Sequence, residues 1–231
     1  SFRVAWNRTN SHYNLEPFFG AEDVGIRNFH NYFPGIMQLT INGAFGTGTG
    51  GSVYFQADTD AYQVSDDVTL VRGSHQLALG TNVTYWTHDT VDGQRGVGNW
   101  TFDGSVTGLG LSDFLTGRLV LLEHARAGVL DLDMWYVGLY AQDTWRVNPR
   151  VTLNAGLRWE PFFGQNVRNN AVSNFSLENF RQGVKSTVYR NAPAGLMYPG
   201  DAGFPSGQSG LNNQWFNMAP RVGLAWDVTG D

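Results

Sequence analysis

Several stretches of this chain, each about ten residues long, alternate apolar and polar side chains with a period of two, while helical periodicity is nearly absent. From Ser74 to Thr87 the odd positions include His75, Leu77, Leu79, Val83 and Tyr85, and the even ones Ser74, Gln76, Gly80, Asn82 and Thr84. Trp135, Val137, Leu139, Ala141, Asp143 and Trp145 alternate with Tyr136, Gly138, Tyr140, Gln142 and Thr144. Val151, Leu153, Ala155, Leu157 and Trp159 alternate with Thr152, Asn154, Gly156 and Arg158. Near the end, Val222, Leu224, Trp226 and Val228 oppose Arg221, Gly223, Ala225 and Asp227. Successive strand residues point to opposite faces, so each stretch is a strand with one apolar and one polar face. Ala61 to Val71 and the opening Phe2, Val4, Trp6 bring the expectation to about six strands. The one short helix candidate is Leu111 to Leu119.

The connections add direction. Arg72-Gly73-Ser74 and Val147-Asn148-Pro149-Arg150 place Gly or Pro where a tight turn needs them. The other three connections, Thr9 to Thr59, His88 to Leu132 and Pro161 to Asn217, run to roughly 40 to 55 residues, against a usual median of about 4 to 6. Short and long alternate strictly, so all tight turns fall on one side of the sheet and all long loops on the other. Outer-membrane barrels are built this way, with short periplasmic turns and long extracellular loops. The pattern therefore predicts an all-β chain: an antiparallel up-and-down transmembrane β-barrel segment in the bacterial outer membrane.

Tryptophan spacing agrees. Trp135 and Trp145 share a face ten positions apart, which at about 3.3 Å per residue and a tilt near 40° spans roughly 25 Å, the height of an apolar band between aromatic girdles. Trp159 is expected level with Trp135 if the hairpin is in simple register. Two features resist. Asp143 falls on the presumed lipid face, two residues inside Trp145, where an interfacial carboxylate costs little. Asp66 and Asp67 are adjacent in mid-strand, so a bulge or register break is expected there; an uninterrupted ladder with Asp66 in the apolar band would show the assignment to be wrong.

Composition narrows the classes. Only 15% of residues are charged and 14% are aromatic, against about 25% charged on average, which excludes a disordered segment. With 15 basic against 20 acidic residues, and Lys185 the single lysine, there is no electrostatic footprint for nucleic acid. The absence of cysteine removes disulfide scaffolds, thiolate zinc sites and cysteine nucleophiles. No run approaches the roughly 20 apolar residues of a transmembrane helix. The mean hydropathy of -0.27 does not exclude membrane strands, which show lipid only every second residue.

The run YVGLYAQDTWRVNPRVTLNAGLRWEPF (Tyr136 to Phe162) resembles the barrel hairpin of TonB-dependent outer-membrane receptors, and APRVGLAWDVTGD (Ala219 to Asp231) looks like another of their strands entering a periplasmic turn. YQVSDDVTLVRGSHQLALGTNV, NWTFDG, GLGLSDFLTGRL and FPSGQSGLNNQWFNMAPR are similar to the Oar-like branch, whose members carry a carboxypeptidase-regulatory-like domain ahead of the plug. The resemblance implies that residues 1–231 are an internal part of one receptor barrel, without plug or regulatory-like domain. A complete receptor would take up a bulky solute with energy relayed by the TonB complex through the plug. Isolated, such a segment would expose two unpaired edges and is expected to aggregate.

Catalytic and cofactor signals are weak, so no enzyme activity, cofactor or metal is expected. GTGTGG (Gly46 to Gly51) satisfies GxGxxG, but VYFQA follows where a phosphate-binding helix should start, so an external loop is expected. His12, His30, His75, His88 and His124 show no ligand spacing. Ser74 and His75 are neighbours that point to opposite faces, and no GxSxG occurs. Asp131 with Asp133, and Asp58 with Asp60, could bind a cation but read more simply as solvated carboxylates at loop bases. The sequons at Asn82 and Asn99 lie on or beside strands and suit a glycan poorly. Gln76, Asn82, Gln142, Asn154, Arg158 and Arg221, with Thr152, are expected to line the lumen, meeting plug and solute or simply bonding along the wall. Phe18, Phe19, Tyr32, Trp100, Tyr198 and Trp215 in the loops could bind peptide or sugar, or pack the loops together. Two rivals stand: a secreted β-sandwich or adhesin module binding polysaccharide, and an outer-membrane enzyme barrel.

Overall fold

A computed structural model of the chain describes residues 1–48 and 51–229. Among the described residues thirteen strands and two short helices follow in order: β1 (Phe2–Asn14), β2 (Gln38–Ile41), β3 (Gly46–Thr47), β4 (Tyr54–Arg72), β5 (His75–Asp92), β6 (Asn99–Phe102), α1 (Gly110–Leu115), β7 (Leu121–Glu123), β8 (Gly128–Asn148), β9 (Val151–Trp159), β10 (Asn166–Val167), β11 (Asn174–Phe175), α2 (Leu177–Arg181), β12 (Leu196–Met197) and β13 (Met218–Trp226). The six strands expected from alternation are β1, β4, β5, β8, β9 and β13. They lie side by side in that order, which is an up-and-down meander, and β10 adds to β8 to make the sheet seven-stranded. The sheet is open, with β1 and β13 at its edges. It does not close into the expected barrel. A second departure is the small sheet β3-β2-β6-β7, in which β2 and β6 run parallel. Residues read as loop therefore hold strands of their own.

By contacts the chain divides into two units: Ser1–Arg8, Thr59–His88 and Asp131–Asp231 form one, Thr9–Asp58 and Asp89–Leu130 the other. In the first, both tight turns are as expected. Gly73 takes φ +60 between β4 and β5, a left-handed conformation that costs glycine nothing. Pro149 begins the turn between β8 and β9, and the side-chain oxygen of Asn148 accepts the backbone N–H of Arg150 at 2.9 Å. The ladder shifts by one residue between Arg146 and Asn148.

Strand parity holds throughout this unit. Phe2, Val4, Trp6, Tyr62, Val64, Leu77, Leu79, Trp135, Leu139, Leu157, Val222 and Leu224 are all exposed on one face, Val222 by 81% and Phe2 by 69%. A β-sandwich would bury this row under a second sheet, so the sandwich reading loses its structural basis. Two expectations fail in detail. Register pairs Trp159 with Leu139 rather than Trp135; a stagger of this kind is what strand tilt produces, since equal heights on tilted neighbours are not directly opposite. No bulge separates Asp66 from Asp67 in the parity of β4. Tyr62, Val64, Val68 and Leu70 stay exposed on one face, while Gln63, Ser65 and Asp67 line a cavity on the other. Asp66 therefore stands in the apolar row, the outcome set against a lipid-facing assignment of this strand, and Asp67 is directed inward, where Arg3 and Tyr140 bond its carboxylate. Asp143, also on the apolar face, is paired: His75 Nδ1 lies 2.6 Å from its Oδ2, and the imidazole stacks on Trp145 at 5.3 Å.

The second unit has its own core of Ala21, Met37, Leu39, Ile41, Trp100 and Phe102. The helix expected over Leu111 to Leu119 forms as α1 over Gly110–Leu115. In GTGTGG, Gly46 and Thr47 form β3 against β2, while Thr49 and Gly50 lie outside the described residues, as do Gly230 and Asp231 at the end of the last strand motif.

Candidate functional site

The polar face of the first unit gathers the side chains with most chemistry. Its first cluster spans three strands beside β1. Asp67 of β4 accepts Arg3 Nη2 at 2.7 Å and Tyr140 Oη of β8 at 2.8 Å. Tyr140 reaches Asp67 only by crossing the intervening strand β5 at Gly80. A Cβ built at Gly80 would stand 2.1 Å from Tyr140 Cε1 and 2.6 Å from Asp67 Oδ1. Glycine is thus required at position 80 by the ring lying over it.

A second cluster sits on β8 and β9. Arg158 donates from Nη2 to Tyr136 Oη at 2.9 Å, and its Nε lies 2.8 Å from Glu160 Oε1. Tyr136 Oη also donates to Glu160. Gly138 accommodates this triangle, since a Cβ there would be 2.9 Å from Tyr136 Oη and 3.2 Å from Arg158 Nη2. Charge-assisted bonds such as these are the stronger ones and fix side-chain direction.

Of the six lumen candidates, the structure brings four together around Arg158. Asn82, Tyr140 and Arg158 border a polar cavity of about 220 Å³ that also takes in Arg3, Gln63 and Asp67. Gln142, Arg158 and Arg221 border a neighbouring hollow of about 250 Å³, Gln142 and Arg221 each lying opposite Gly156 on either side of β9. Asn82 accepts Gln63 Nε2 at 3.1 Å. The other two stand apart: Asn154 accepts Thr144 Oγ1 at 2.7 Å, and Gln76 is exposed on β5. Arg3, Asp67, Tyr136 and Glu160 belong to the same face without having been among the lumen candidates. Arg3 was legible, since it lies between the outward Phe2 and Val4.

The remaining candidates are held by neighbours. Asp133 accepts Asn166 Nδ2 at 2.9 Å and lies 3.6 Å from Arg168 Nε. Asp60 accepts Trp6 Nε1 at 3.0 Å, and Asp58 accepts Gln56 Nε2 at 3.0 Å. Among the described residues no group of three or more His, Asp or Glu could hold a metal ion. His88 Nδ1 is 2.7 Å from Thr59 Oγ1, and His12, His30 and His124 lie against aromatic rings. Ser74 sits in the β4–β5 turn and accepts Arg146 N through its carbonyl. The loop aromatics mostly pack: Trp100 is in a core, Tyr198 lies against Tyr189, and Trp215 meets Phe163 while its carbonyl accepts Trp159 Nε1.

Sheet order, an exposed apolar face and a bonded polar face are the geometry of a membrane barrel wall. A family model described as an outer membrane beta barrel domain matches residues 1–231. The chain belongs to that family. It is therefore an outer-membrane β-barrel protein, so, against the expectation from sequence, Asp66 in the apolar row does not exclude a barrel. No curated protein and no solved structure matches the chain.

Proposed function

We propose that this outer-membrane chain is an internal barrel segment of a TonB-dependent receptor of the Oar-like branch, and that the whole receptor takes up a bulky solute without chemical transformation. The observation that carries this reading is the Tyr136 to Phe162 hairpin. Its sequence resembles the receptor hairpin, and its inward side chains Tyr136, Tyr140 and Arg158 are fixed by bonds to Glu160 and Asp67. A wall fixed in this way presents polar groups to a plug and to a passing solute without collapsing into the lumen. The reading requires a plug domain elsewhere in the protein, which would relay energy from the TonB complex.

Two experiments test it. The gene carrying this segment should encode a plug ahead of it and an aromatic-terminated strand at a distant C-terminus. The purified protein should retain the periplasmic domain of TonB through a TonB box. A gene without a plug, or a protein that does not retain TonB, would overturn the receptor reading and leave the outer-membrane barrel intact.

A further inference from the structure

The second unit contains a cavity of different chemistry. Leu39 and Ile41 of β2 lie opposite Trp100 and Phe102 of β6 in the parallel pair, so strand alternation places all four side chains on one face. Helix α1 packs on both strands, with Phe114 edge-on to Phe102 at 5.3 Å and to Phe45 at 6.3 Å. The helix is anchored by a fully buried carboxylate. Asp113 accepts Thr107 N at 2.9 Å, Thr107 Oγ1 at 2.6 Å and Val106 N at 3.3 Å, which binds the preceding loop to the helix. Between the strand face and the helix remains a half-open cavity of about 580 Å³, and apart from Gly117 every residue lining it has an apolar side chain.

Protein interiors fill to about 0.75 of their volume and leave few voids larger than a water molecule. This one stays open along a gradient of exposure: Met37 and Leu39 at its floor are 3% and 4% exposed, whereas Leu115 and Val24 at its mouth are 74% and 55% exposed. Water is a poor occupant, since among the lining side chains only Trp100 carries a hydrogen-bond donor, its buried and unpartnered Nε1; an engineered apolar cavity of about 150 Å³ stays dry and takes benzene. The volume here lies within the roughly 300 to 1,000 Å³ of small-molecule sites. No charged side chain lines the cavity, and a charged group entering would lose hydration without compensation.

We propose that this cavity is a binding site for the uncharged, apolar part of a small molecule, held between Met37 and Leu39 below and Phe45, Phe114 and Leu119 at the sides. The site makes no use of the energised-uptake reading, which rests on the other unit, and naphthalene binding would stand if TonB were never retained.

The chain has no cysteine, so a cysteine introduced here reports occupancy once any cysteine elsewhere in the protein is replaced by serine. Met37→Cys and Leu119→Cys would each be made in the protein that carries this chain, reconstituted in lipid nanodiscs free of detergent, and the rate of modification by a water-soluble maleimide followed with and without naphthalene. Naphthalene should slow modification of both cysteines saturably, by about tenfold near nine-tenths occupancy. It should leave Val106→Cys, which is 61% exposed in the same unit, unchanged. Adding Leu119→Trp to Met37→Cys should fill the cavity and abolish protection. If Met37→Cys does not fold, Leu119→Cys, 38% exposed, carries the measurement without touching the floor. Absence of protection at Leu119→Cys, or equal protection at Val106→Cys, would overturn the proposal.

Discussion

Gly80→Ala perturbs the polar face at its tightest point. The new methyl would lie 2.1 Å from Tyr140 Cε1, 2.5 Å from Cζ and 2.6 Å from Asp67 Oδ1, well inside contact distance, so something must move. The backbone of β5 is held between β4 and β8, which leaves the Tyr140 ring to swing off the strand. Swinging breaks its 2.8 Å bond to Asp67. Overpacking of this kind costs about 1 to 3 kcal/mol, and the upper end is expected because relief of the clash requires loss of the hydrogen bond. Urea unfolding of the protein in lipid, followed by tryptophan fluorescence, measures the loss. Tyr140→Ala removes the ring, and in that background Gly80→Ala should cost little; neighbouring residues couple in this way by about 0.5 to 3 kcal/mol. A Gly80→Ala protein within about 0.5 kcal/mol of the parent, or an equal loss in both backgrounds, would refute the close-packing argument.

Leu139→Arg should destabilise by about 2 to 4 kcal/mol if it sits near the middle of the lipid band, whereas Gln142→Arg on the interior face should be nearly neutral; the same unfolding assay compares them. Asp66→Val should stabilise by about 1 kcal/mol, since a carboxylate between Val64 and Val68 on the lipid face is unfavourable but less so than a basic residue. Hydrogen bonds from Thr107 hold the Asp113 carboxyl below the usual carboxylate range despite burial, and bonds from Ser186 and Thr187 do the same for Asp201. A depressed folded pKa contributes stability that is present above the ordinary value near 3.9 and lost as pH falls below it toward the folded value. Acid titration by hydrogen exchange should therefore loosen residues 104–115 and 186–201, and Asp113→Asn or Asp201→Asn should flatten that response in its own segment.

The barrel wall was legible because period-two alternation needs no tertiary knowledge. Leu77, Leu79 and Val83 had to share a face, and Gly73 and Pro149 marked turns that could join only antiparallel neighbours. The lumen candidates followed from the same parity, and Asn82, Gln142, Arg158 and Arg221 do converge. Which of them would be bonded was not legible, because that depends on register. Tyr140 meets Asp67 only through the alignment of three strands, and nothing local to Gly80 announces the ring above it. The expected bulge at Asp66 failed for a related reason: the pull of Arg3 and Tyr140 on Asp67 fixes the parity, and Asp66 is carried outward with it. The small sheet of the second unit escaped because β2, β6 and β7 are only three or four residues long, too short for periodicity. Their partners are far apart in sequence, Leu39 facing Trp100.

The claim beneath all of this is that one face of the β8 strand meets lipid and the other the barrel interior. Single cysteines placed in turn at 136, 137, 139, 140, 141 and 142, with Gly138 kept because a Cβ there would meet Tyr136 and Arg158, in a chain with no cysteine of its own, test it in lipid vesicles with a water-soluble maleimide and a lipid-confined quencher of the attached dye. The account predicts alternation: positions 136, 140 and 142 react from the aqueous interior and resist the quencher, while 137, 139 and 141 react slowly and are quenched strongly. Uniform reactivity along the strand, or quenching confined to the even positions, would contradict it.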